Sequence, residues 1–116
     1  MRPEEKIKKI ADHYGYEAQS RQCIEECAEL IQAINKMWRN SFGYGLVTIE
    51  EVLSEETKNI KFSDEKEYKD LAEELADVQI MLWQMQYLLN ADIQPIIEQK
   101  LDRQLERIES KENSNT

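Results

Sequence analysis

Apolar positions recur at helical spacing along most of the chain. From about Glu17 to Arg39, residues Cys23, Cys27, Leu30, Ile34 and Met37 return every three or four positions, which predicts a long amphipathic helix. "NSFGYG", residues 40 to 45, marks its exit. Upstream, residues 3 to 13 predict a shorter helix opened by Pro3, since the N–H that proline lacks has no intrahelical partner in a first turn. Gly15 in "HYGY" breaks that helix. Thr48 followed by Glu51 has the form of a capping box and predicts a short helix over 49–56 within a connector. Ser63 or Asp64 can cap a second long helix that reaches about Leu89, with Leu71, Leu75, Val78, Leu82, Met85 and Leu89 as its main seam. "NAD", residues 90 to 92, turns the chain; Asp92 is a good N-cap, and Pro95 falls in the first turn of a last helix ending near Glu109. The tail, 111–116, is expected to be disordered.

At 116 residues the chain has room for one domain, placed at 1–110. With 41% hydrophobic and 34% charged residues, three Gly and two Pro, the composition favours helices over a turn-rich sheet protein. The expected fold is all-α, an antiparallel helical bundle built on the two long helices. The second of them also carries Ala72, Ala76, Ile80, Trp83 and Tyr87 on another face, more apolar surface than so small a monomer can cover. Homo-oligomerisation, as a homodimer or a dimer of dimers, is therefore expected to complete the bundle.

A net charge of −9 argues against nonspecific binding to nucleic acid or to an anionic membrane, both of which need a basic surface. A single nucleotide is still compatible, because metal ions can carry its phosphates. Cys23 and Cys27 are the only cysteines; without a second pair or a His cluster they read as small buried hydrophobes rather than zinc ligands. "MRPEEKIKK" lacks the apolar run of a signal peptide, and no stretch approaches the roughly 18 apolar residues of a membrane span. A cytoplasmic location is expected.

The chemistry is carried by acids. At about 100° per residue, with Cys23 at zero, Glu26 and Glu29 fall near 300° and 240°, on the shoulder of the apolar stripe, together with Gln22, Ala33 and Lys36. Counted in the same way from Leu71, Glu74 and Asp77 take about the same two angles, with Asp70, Met81 and Gln84 beside them. Glu25 and Glu73 each point further away. Two antiparallel helices packed along their seams would bring four carboxylates together. Two carboxylates 4 Å apart repel by about 4 kcal/mol at an effective dielectric of 20. Protonation relieves this, and so does a hard divalent cation such as Mg²⁺ or Mn²⁺, which prefers all-oxygen ligands. The bland alternative is a solvated acidic shoulder.

At these residues the sequence resembles the all-α nucleoside triphosphate pyrophosphohydrolases, the MazG-like group. Their doubled E-E-x-x-E motif is matched by Glu25, Glu26 and Glu29 in "EECAEL", and their E-x-x-D motif by Glu74 and Asp77 in "EELADV". The resemblance covers most of residues 17 to 108. It implies that Glu26, Glu29, Glu74 and Asp77 coordinate Mg²⁺, which holds the triphosphate of a nucleotide substrate. Water then attacks the α-phosphorus and releases nucleoside monophosphate and pyrophosphate, with Glu25 orienting that water or supporting the ligands. Such chemistry needs positioning and charge neutralisation more than a covalent nucleophile. The connector is longer than in compact members, which leaves base choice open.

Further contacts with the nucleotide are expected from Lys36 on the acidic shoulder, from Gln22 and neighbouring Gln19 as hydrogen-bond partners, and from Trp38 as a stacking partner. On the last helix Lys100, Arg103, Arg107 and Lys111 form a basic stripe that reads either as a phosphate clamp or as a solvated flank near the negative end of the helix dipole. Lone His13 is not expected to ligate metal. Two rival readings stand beside the hydrolase. One is a non-catalytic acidic adaptor or regulatory module. The other is a redox di-metal bundle, which expects E-x-x-H pairs that neither motif helix offers.

Overall fold

The computed structural model describes residues 1–39 and 65–114, and among these there is no strand. Three helices follow one another: α1 (Pro3–Trp38), α2 (Glu65–Leu88) and α3 (Gln94–Ser114). The chain is all-helical, as the composition and periodicity predict. The NSFGYG exit, the Thr48–Glu51 capping box with its short helix 49–56, and the Ser63 or Asp64 cap lie outside the described residues.

Local chemistry fixes the helix ends. Pro3 opens α1, with Glu4 and Glu5 in its first turn, where acids meet the positive end of the helix dipole. At Gly15 the backbone takes φ 83° and ψ 170°, a region essentially confined to glycine. The element therefore bends where the sequence predicts a break. An N-terminal arm precedes Gly15 and a longer arm follows it.

α2 ends in a Schellman motif. Asn90 is left-handed at φ 49°; its N–H donates to the Tyr87 carbonyl at 3.1 Å, and the Ala91 N–H donates to the Gln86 carbonyl at 2.9 Å. Asp92 Oδ1 then accepts from the Gln94 N–H at 3.3 Å, which satisfies one of the free donors at the start of α3. Contrary to the expected end near Glu109 and disorder from 111, α3 runs on to Ser114. No Gly or Pro lies between Glu109 and Ser114 to stop it.

α1 and α2 pack antiparallel: Gln19 meets Gln84, and Asp12 meets Tyr87, so the start of α1 lies along the end of α2. The seam between them differs from the expected one. Ala11, Met37, Val78 and Met81 are buried, together with Gln19 and Gln84. Ile34, Leu75, Leu82 and Leu89 are exposed, and Cys23, Cys27, Leu30, Leu71 and Met85 are half-buried. Each helix has thus turned by about 50° toward its acidic shoulder, at about 100° per residue. The reason is geometric. Each apolar stripe is wider than one neighbouring helix can cover, and the contact settles where Ala33 is small and the two glutamines can pair.

Candidate metal centre

This rotation puts the acids between the helices rather than beside them. Glu26 and Glu29 come from α1 and Glu74 from α2, and one carboxylate oxygen of each lies within 4.8 Å of the others. Glu26 Oε1 accepts a hydrogen bond from Gln22 Nε2 at 2.8 Å. The second oxygen of Glu26 and one oxygen of Glu74 are shielded from solvent and have no hydrogen-bond partner.

Shielded carboxylate oxygens without donors are costly, because the hydration they lose is not replaced. The cluster therefore needs a proton or a cation. Its electrostatics say the same. The Glu74 carboxyl is pushed above the usual glutamate range, first by loss of solvent, then by the charges of Glu29, Asp77 and Glu26, and by a hydrogen bond with Glu29. A set of carboxylate oxygens suits a hard divalent ion, and the two orphaned oxygens are the atoms such an ion would satisfy. The three-acid cluster can hold a metal ion.

A groove of about 280 Å³ adjoins the acids, lined by Glu29, Gln32, Ala33, Lys36, Met37, Glu67, Asp70, Glu73 and Glu74. Lys36 is the only cation among these lining residues, which makes the groove an acidic trough with one ammonium group along it.

The expected site residues separate into those the fold gathers and those it does not. Glu26, Glu29 and Glu74 converge, Lys36 joins them along the groove, and Gln22 is engaged by Glu26. Asp77 is exposed and stands outside the cluster, although its charge reaches Glu74. Three residues beyond Glu74, it is turned about 60° around the helix axis. Glu25 is exposed and faces away. Gln19 is not at the site, because its Nε2 donates to Gln84 Oε1 at 2.6 Å inside the core. Trp38, 50% exposed, does not line the groove. Lys100 and Arg103 sit on α3, whose backbone packs against neither α1 nor α2, so within one chain they are not brought to the acids.

Sequence reasoning missed Glu67 and Gln32 on the groove wall. Glu67 had a signal, since it lies seven residues before Glu74 and so on the same side of the helix. Cys23 and Cys27 are free, half-buried thiols; burial and then the neighbouring Cys27 push the Cys23 thiol up, which makes it a poor nucleophile. His13 stacks edge-on against Tyr14 and takes no part in the acid cluster.

No protein-family model, curated protein or solved structure matches the chain. Among the described residues no helix is long and apolar enough to cross a membrane.

Proposed function

We propose that the chain is a Mg²⁺-dependent nucleoside triphosphate pyrophosphohydrolase of the MazG-like kind, cleaving its substrate to nucleoside monophosphate and pyrophosphate. The observation that carries this reading is the convergence of Glu26, Glu29 and Glu74 with two shielded, unpartnered oxygens. Mg²⁺ bound there would neutralise phosphate charge and make a coordinated water more acidic. Glu26, Glu29 and Glu74 hold the ion, and Asp77 joins them if its side chain turns inward. The Lys36 ammonium stands along the groove, where it can meet the β- or γ-phosphate. Gln22 orients Glu26 through its hydrogen bond. Base and sugar specificity is not legible in these residues.

The test is incubation of the purified chain with a nucleotide panel and Mg²⁺ or Mn²⁺. Equimolar monophosphate and pyrophosphate are expected from at least one nucleotide. Calorimetry is expected to show uptake of Mg²⁺ that is lost in Glu29→Gln. An absence of product from every nucleotide, together with no metal uptake, would return the chain to the adaptor reading.

A further inference from the structure

We propose that α3 is an association helix that pairs in parallel with α3 of a second copy of this chain about a two-fold axis. The proposal is independent of the metal reading. It starts from an unpartnered element: the backbone of α3 packs against neither α1 nor α2, and Ile96, Ile97, Leu101, Leu105 and Ile108 are all between 39% and 58% exposed.

The charges beside this apolar stripe are sorted by sign. At about 100° per residue, with Ile97 at zero, Leu101, Leu105 and Ile108 lie near 40°, 80° and 20°. Lys100, Arg103 and Arg107 occupy one edge, near 300°, 240° and 280°, while Glu98, Asp102, Glu106 and Glu109 occupy the other, from about 100° to 180°. One flank is therefore basic and the opposite flank acidic.

Symmetry turns this sorting into an orientation. When two such helices face each other about an axis parallel to their length, the basic edge of each meets the acidic edge of the other. When the axis is perpendicular and the helices run antiparallel, like edges meet and repel. Edge charges are a known determinant of helix pairing, and a two-fold contact is self-complementary by construction. A chain whose net charge is −9 would otherwise repel its copy, so opposite-sign edges matter most at this contact.

The area is sufficient. Among the described residues twenty large apolar side chains are exposed. At about half of the roughly 100 Å² that each can bury, they present about 1,000 Å² per copy, above the roughly 800 Å² per partner of a stable complex. The α3 stripe alone supplies only a fraction of that, so the outward faces of α1 and α2 must share in the contact that the α3 pair sets in register.

The experiment uses the full chain in a Cys23→Ser, Cys27→Ser background. Light scattering is expected to show a dimer or a multiple of it at micromolar concentration, reduced to monomer by Leu101→Asp with Leu105→Asp. Ile97→Cys and Ile108→Cys, made separately, are each expected to form a disulfide with their own copy under mild oxidation, since a parallel pair sets like residues opposite one another. In an antiparallel pair these positions would be offset by about 16 Å along the axis at 1.5 Å per residue, beyond the reach of a disulfide. Reversal of the basic edge (Lys100→Glu, Arg103→Glu, Arg107→Glu) is expected to weaken self-association about tenfold at low salt. Mixing that variant with the reversed acidic edge (Glu98→Lys, Asp102→Lys, Glu106→Lys) should restore association as a heterodimer. A monomeric wild type, or crosslinking only between mixed Ile97→Cys and Ile108→Cys chains, overturns the proposal.

Discussion

The inward and outward sides of the α1/α2 pair are the reverse of what a solitary soluble protein presents. Facing each other, the helices bury Gln19 and Gln84 and hold Glu26, Glu29 and Glu74 within touching range. Facing outward, they display Ile24, Ile31, Leu75 and Trp83. Hydrophobic burial is the dominant favourable term in folding, so an arrangement that leaves these side chains in water draws its stability from a surface not yet covered. The polar interior is the part committed to chemistry, and the apolar exterior is the part committed to company.

The comparison is tested most severely at the acids. Glu29→Gln keeps the shape of the side chain but removes one ligand charge, and should reduce turnover by about 10²-fold or more if the cluster holds the metal. Turnover at the wild-type rate would place the chemistry elsewhere. The next effect concerns the buried amide pair. Gln84, 2% exposed, donates to Met81 Sδ at 3.7 Å as well as accepting from Gln19. Gln84→Ala leaves a cavity and an unpaired Gln19 amide, and should cost about 2–3 kcal/mol in urea unfolding. Gln19→Leu combined with Gln84→Leu should recover most of that loss, because removing both partners leaves neither unsatisfied. If the double variant is as unstable as the single one, the pair is not the polar contact described.

Titration gives a smaller and more diagnostic signal. The raised pKa of Glu74 means that the folded state holds this proton more tightly than the unfolded state. Its contribution is therefore fully present below the ordinary glutamate range and is lost as pH rises through the elevated value. In metal-free buffer, wild type should lose stability relative to Glu74→Gln across that interval, measured as the difference in urea midpoint. Saturating Mg²⁺ should reverse the order at neutral pH, since metal binding displaces the proton. A difference that is flat with pH would mean the carboxyl is not under this pressure. The smallest effect belongs to the outer face. Ile24 is 70% exposed, and Ile24→Thr should change monomer unfolding by less than about 0.5 kcal/mol, measured at concentrations below association. A larger loss in the monomer would mean that the residue is covered within its own chain.

These contrasts also explain what could be read in advance. The Gly15 break, the turn at Asn90 and the Asp92 cap were legible because each depends on a few adjacent residues whose backbone preferences are strong. The pairing of Glu26 and Glu29 with Glu74 was legible because an i, i+3 acid pair appears at the same offset on both helices. The seam was not. A periodic stripe reports which residues avoid water, but the number of neighbouring helices decides which part of the stripe each neighbour covers. With one neighbour, α1 and α2 met on their shoulders, so Leu75 and Leu82 went outside while Gln84 went in. Asp77 was misjudged for the same reason, as a rotation that brings Glu74 to the centre turns the next acid past it. The burial of Gln19 was hidden because its partner is 65 positions away in the sequence.

The bend at Gly15 has a consequence of its own. A Cβ built there meets no atom within 4 Å, so what excludes a side chain is backbone torsion alone, a strain of about 1–3 kcal/mol in this region. A chain carrying alanine at this position can escape the strain by continuing the α conformation. The 36 residues of α1 would then form one unbroken rod about 54 Å long at 1.5 Å per residue. That rod would carry Asp12 away from the Tyr87 hydroxyl, 2.9 Å distant, and Lys8 from its place over the same ring. A single methyl group thus has the leverage to unfasten the first quarter-turn of the chain from the rest without touching any contact directly.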